Sequence, residues 1–127
     1  MRRMRNMACR GIRGATSVDA NDAEIIVAAT RELLEHIVAA NDVAVADVAS
    51  VIFTATPDLD AAYPARAARE MGWTKVPLLC MQGMAVVGSL PRCIRVLVHW
   101  NSDLSPGQVR HVYLGDARAL RPDLVEG

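Results

Sequence analysis

Lysine is nearly missing from this chain. Of fourteen basic residues in 127, thirteen are arginine and Lys75 alone is lysine. Arginine is the default cation here, so residue type does not mark a binding site and position must. Charge of either sign is not in excess: the formal net charge is +0, which excludes a global field drawing the chain to nucleic acid or an anionic membrane. Cysteine is scarce and odd in number, with Cys9, Cys80 and Cys93 forming no C-x-x-C pair. That pattern fits a reduced, cytoplasmic protein better than a disulfide framework. No zinc spacing links these thiols to His36, His99 or His111. Aromatics number only five, too few for a basic-aromatic nucleic-acid surface.

Long apolar runs are lacking too. The stretch between Lys75 and Arg92 is uncharged, but Pro77, Gln82, Gly83, Gly88 and Pro91 interrupt it, so it reads as buried strands and not as a membrane helix. No signal-peptide core follows the basic start. No phosphate loop, dinucleotide fingerprint, Ser-His-Asp or Cys-His pattern is visible.

What is present is an interleaving of strand and helix patterns in a chain long enough for one cored domain. Residues 8–15 predict a first strand. Asn21 with Glu24 predicts a capping box, opening a helix to about Ala40 with Ile25, Ile26, Ala29, Leu33, Leu34, Ile37 and Val38 on one face. Strands are expected at 50–55, 76–81, 93–100 and 110–114. A short helix at 65–71 starts behind Pro64 and stops at Gly72, and Ser105-Pro106 opens a helical turn. Residues 119–124 read as extended. The class is α/β (α+β), a single domain with a mixed five-stranded sheet packed on helices. Residues 1–7 are expected to be a flexible extension, 8–124 the domain and 125–127 a tail.

Arg95 stands in the apolar strand Cys93-Ile94-Arg95-Val96-Leu97-Val98, sharing a face with Cys93, Leu97 and His99. No acid lies near it on that strand. A buried guanidinium needs an ion-pair partner, a subunit interface or an anionic ligand, and spacing alone leaves all three open. Arg13, among small residues of the first strand, poses the same question. Arg66 and Arg69 lie three apart on the short helix and share a face, which suits a solvated surface as well as a site. Tyr113 and Cys80 read equally well as core residues. The residues alone thus imply an α/β domain with converging arginines and no evident nucleophile.

Seven segments, in order and spacing, resemble the AroH class of monofunctional chorismate mutases from about Ala8 to Leu124. They are Arg10-Gly11-Ile12-Arg13-Gly14-Ala15-Thr16, Thr54-Ala55-Thr56-Pro57-Asp58-Leu59, Tyr63-Pro64-Ala65-Arg66-Ala67-Ala68-Arg69, Cys80-Met81-Gln82, Cys93-Ile94-Arg95-Val96, Arg110-His111-Val112-Tyr113-Leu114 and Leu120-Arg121-Pro122-Asp123-Leu124. The resemblance implies a homotrimer whose sheets form a pseudo α/β-barrel, with active sites in clefts between subunits. It implies the pericyclic conversion of chorismate to prephenate, toward phenylalanine and tyrosine, with no metal and no cofactor. By the same match Arg95 would face the ether oxygen, Arg13 would hold a carboxylate and Tyr113 would hydrogen-bond near it. Tyr63, Arg66, Arg69, Leu79, Cys80, Leu120 and Arg121 would line the cleft.

One position departs from that pattern. After Cys-Met-Gln the family carries Glu, which accepts a hydrogen bond from the substrate's ring hydroxyl; here the residue is Gly83. Three readings follow: a chorismate mutase, impaired by the missing acid; a pericyclic enzyme acting on a chorismate relative such as isochorismate; or a non-catalytic anion-binding relative.

Overall fold

The computed structural model describes residues 7–120. The expectations for residues 1–6, for Arg121 and for the tail beyond it lie outside the described residues. Five strands alternate with two helices: β1 (Ala8–Ser17), α1 (Ala23–Asn41), β2 (Val48–Ala55), α2 (Ala65–Glu70), β3 (Leu78–Gln82), β4 (Cys93–Ser102) and β5 (Val112–Tyr113). They form one sheet in the order β3-β2-β4-β1-β5. β4 lies at its centre, antiparallel to β1 and β2, while β2–β3 and β1–β5 are parallel. The expected mixed five-stranded sheet is present.

Period-two alternation sorts the side chains. Ile94, Val96, Val98 and Trp100 of β4 are buried, as are Val51 and Phe53 of β2 and Ile12 of β1. All but Ile94 meet Leu33, Leu34 and Ile37 of α1 and Ala65 and Ala68 of α2 in one core, and Ile94 packs with Val18, Ile26 and Leu59 beside it. Both helices thus cover the same face. Burying a side chain such as Phe53, at 0% exposure, contributes about 1.5–3 kcal/mol. β1 approaches α1 closely at Gly14. A Cβ there would stand 2.8 Å from Ile37 Cδ1 and 3.0 Å from Val96 Cγ1, so only glycine fits without displacement.

The start of α1 differs from expectation. Asp22, not Asn21, is the N-cap: its carboxylate accepts from the Ile25 N–H at 3.1 Å. Asn21 is drawn outward instead, its Oδ1 accepting from the Asp60 and Ala61 N–H groups at 3.0 Å each. Glu24 therefore completes no capping box and pairs with Arg66. Of residues 119–124, expected to be extended, Ala119 instead ends a 3-10 turn, Gly115–Ala119, and those beyond Leu120 lie outside the described residues. An N-cap with two polar neighbours, and a turn held by tertiary contacts, are choices that local sequence leaves degenerate.

Candidate active site

The sheet face away from the helices carries Arg13 and Ala15 of β1, Ile52 and Thr54 of β2, Leu79 and Met81 of β3, Arg95 and Leu97 of β4, and Tyr113 of β5. Among the described residues, Leu90, Ala117 and Leu120 pack against its Ala15–Tyr113 end, while the side at β3 stands open. Leu79 is 55% and Met81 45% exposed. Arg95 is exposed as well. Its expected burial is therefore corrected: alternation put it on the right face, but that face is open.

Register explains why the arginines converge. Ala15 and Thr54 lie directly opposite Arg95 on its two neighbouring strands, and Leu97 lies opposite Arg13. Small Ala15 leaves room beside Arg95, and Tyr113 pairs with Ala15 on the far side. Together Arg13, Ala15, Ile52, Thr54, Arg95, Leu97 and Tyr113 line a cleft of about 310 Å³. Among the described residues no carboxylate lines it. Two guanidiniums beside a phenol and apolar walls are suited to a small anion.

One end of the cleft is closed by a small cluster of Ala15, Cys93, Tyr113 and Ala117, against which Leu120 packs. Burial pushes the Cys93 thiol up, and the positive charge of the nearby Arg95 guanidinium acts in the opposite sense. Behind Arg13, its backbone N–H donates to His111 Nδ1 at 2.9 Å, so that nitrogen is the unprotonated acceptor.

A second cavity of about 420 Å³ adjoins the first through Thr54 and Arg95, and includes Gly83, Cys93, Met84 and Ser89. The Gly83 N–H donates to the Ala55 carbonyl at 2.9 Å. A Cβ at Gly83 would meet the Ala55 oxygen at 3.6 Å and Thr54 Oγ1 at 3.7 Å, ordinary contacts, so a side chain fits there.

The remaining expected residues lie elsewhere. Tyr63 and Cys80 line a separate cavity of about 460 Å³ beside the loop between β2 and α2. Arg66 and Arg69 ride on α2, across the sheet from Arg95. Arg66 is already engaged, its Nε donating to Glu70 at 2.7 Å and its Nη2 to Glu24 at 3.2 Å. One chain thus brings together Arg13, Arg95 and Tyr113, with Gly83 and Leu120 adjoining and Leu79 opposite Ile52 on the same face, and leaves Tyr63, Arg66, Arg69 and Cys80 apart. Thr54, Ile52 and Ala15 were not singled out from sequence. Alternation against Val51 and Phe53 would have found the first two. Among the described residues, no group of three or more His, Cys, Asp or Glu side chains could hold a metal ion.

The profile of the family described as Chorismate mutase type I matches residues 9–124. The chain belongs to this family. It is 48% identical over 119 residues to the chorismate mutase AroH of Bacillus subtilis, covering 93% of this chain and 94% of that one. It is 53% identical over 116 residues to chorismate mutase AroH of Thermus thermophilus, covering 91% and 95%. A solved chorismate mutase from Clostridium thermocellum superposes with a TM-score of 0.85 at 50% identity, over 86% of this chain and 97% of that one. Family membership and the open cationic cleft are independent observations, one from sequence likeness and one from register and burial.

Proposed function

We propose that this chain is a chorismate mutase whose cleft of Arg13, Arg95 and Tyr113 rearranges chorismate to prephenate. The observation that carries the reading is the convergence of two arginines on a cleft without a carboxylate, in a chain of this family. The reaction breaks an ether carbon–oxygen bond, and negative charge grows on that oxygen. A fixed cation there is worth more in the transition state than in the ground state. Arg95, wedged between Ala15 and Thr54, is that cation. Arg13 holds a substrate carboxylate, Tyr113 hydrogen-bonds beside it, and the apolar walls press the flexible diacid into its compact conformer.

The same reading makes the protein a homotrimer. The open sheet face offers exposed apolar side chains that a monomer leaves in water. Tyr63, Arg66, Arg69 and Cys80, which one chain holds away from Arg95, then reach the cleft from a neighbouring subunit. Three free thiols among the described residues accord with a reducing cytoplasm. No helix of the described residues is long and apolar enough to cross a membrane.

Following chorismate loss with the purified protein tests the proposal. Acceleration far above the uncatalysed rate is expected; none, with the trimer intact, rejects it. A second reading draws on the vacant space at Gly83, which leaves the ring-hydroxyl side of the cleft without its acid. There the substrate is a chorismate relative such as isochorismate, and such a diacid would turn over faster than chorismate.

A further inference from the structure

β4 begins in an unusual way. Arg92, the residue before it, has φ +46, a left-handed conformation uncommon for a residue with a side chain. Such conformations persist only where the surroundings over-determine them. Here the Arg92 N–H donates to both oxygens of Asp58, at 3.2 and 3.0 Å. Its Nε donates to the Val18 carbonyl at 3.1 Å, and its own carbonyl accepts from the Val18 N–H at 3.0 Å. Arg92 is thus clamped between the end of β1 and the turn after β2.

The next residue is held as firmly. The Cys93 N–H donates to Thr56 Oγ1 at 3.0 Å, and the Thr56 hydroxyl donates onward to Asp58 Oδ1 at 2.5 Å. The Thr56 N–H returns a bond to the Cys93 carbonyl at 3.1 Å. Side chains therefore extend the β2–β4 ladder past its last regular pair, Ala55 with Ile94. Cys93, 1% exposed, shares a face with Arg95 two residues on, and the two line one cavity together with Thr56.

We propose that Thr56 and Asp58 are positioning residues for Arg95, fixing the start of β4 and the Cys93 thiol so that the guanidinium is aimed at the cleft before substrate arrives. The inference rests on the reading of Arg95 as the cation of the rearrangement. It assigns work in the reaction to a turn outside the Arg13–Arg95–Tyr113 cleft, of which Thr56 lines the adjoining cavity with Arg95 and Cys93. The chemistry needs this because a cation that reorients during the reaction loses the advantage of pre-organisation. The Asp58 carboxylate is held below its ordinary range, first by the Thr56 hydroxyl and further by the Arg92 N–H and guanidinium, with its slight burial opposing. Asp58 is therefore an acceptor throughout the neutral range.

The test is steady-state kinetics on chorismate with Thr56→Val, Thr56→Ser, Asp58→Asn and Arg95→Ala, each measured well below its melting temperature. Misplacing a catalytic group by an ångström costs on the order of a hundred-fold. Thr56→Val and Asp58→Asn should therefore lower kcat by about ten- to a hundred-fold with KM nearly unchanged. Thr56→Ser keeps the hydroxyl and should restore kcat to near the parent value. Should Thr56→Val not fold, Asp58→Asn against Thr56→Ser decides alone. If the variants melt earlier but keep the parent kcat while Arg95→Ala loses turnover, the positioning role is wrong and the site reading stands. If Arg95→Ala turns over like the parent, or the parent shows no turnover, the site reading falls and this inference with it.

Discussion

In the proposed site Arg95 and Gly83 line the same cavity. Arg95 supplies charge, and Gly83 leaves a volume where the family resemblance places an acid. The backbone at Gly83 is not in the left-handed region, and its Cβ direction is clear of close contacts, so Gly83→Glu should fold as the parent does. A charge-assisted hydrogen bond contributes roughly 1.5–3 kcal/mol. If the ring hydroxyl of chorismate is bound there, Gly83→Glu should raise kcat/KM by about ten- to a hundred-fold. An unchanged kcat/KM in the spectrophotometric assay would mean that another group already serves the hydroxyl. Arg66 shows the converse at this scale. Sequence pairs it with Arg69 on one helix face, but Glu70 and Glu24 engage it in the single chain, the Glu70 hydrogen bond first in holding its proton more firmly.

At the scale of elements, the strands were legible because alternation is a strong signal, and β4 shows it best. Ile94, Val96, Val98 and Trp100 are all buried where alternation puts them. What alternation cannot say is whether the other face of a strand is covered, which is why Arg95 was expected to be buried and is exposed. Caps were less legible. Asn21 and Asp22 are equally good N-caps by residue type, and the choice fell to Asp22 because the loop at Asp60 and Ala61 takes Asn21. The Thr56–Asp58 clamp on Arg92 was invisible, since its partners lie more than thirty positions apart. Packing between elements yields its own prediction at Gly14, where β1 meets α1. Gly14→Ala drives a methyl against Ile37, Val96 and Leu33 and should cost about 1–3 kcal/mol, read as a lowered melting temperature. An unchanged melt would show that the helix can withdraw freely.

For the whole molecule, both helices cover one face of the sheet, and much of the other stands open among the described residues. That second face carries the cationic cleft together with exposed Leu79 and Met81, so in the proposed trimer assembly and catalysis share one surface. A charge placed in that face should oppose burial without harming the core behind it. Leu79→Asp is therefore expected to shift the protein from trimer toward monomer in sedimentation while leaving α1 and the core intact by circular dichroism. A trimer undisturbed by this change would place the interface elsewhere. In the proposed trimer the arginines of α2, across the sheet from Arg95, would serve the cleft of the neighbouring chain.

The most direct measurement is the turnover of Arg95→Ala against the parent, with the assembly of both confirmed by sedimentation. Electrostatic stabilisation by one pre-organised donor is worth about 10²–10³ in kcat. The account predicts a loss of at least about that size, close to complete loss of measurable rearrangement, in an intact trimer. Parent-like turnover by Arg95→Ala would contradict the claim that this open-face arginine carries the reaction.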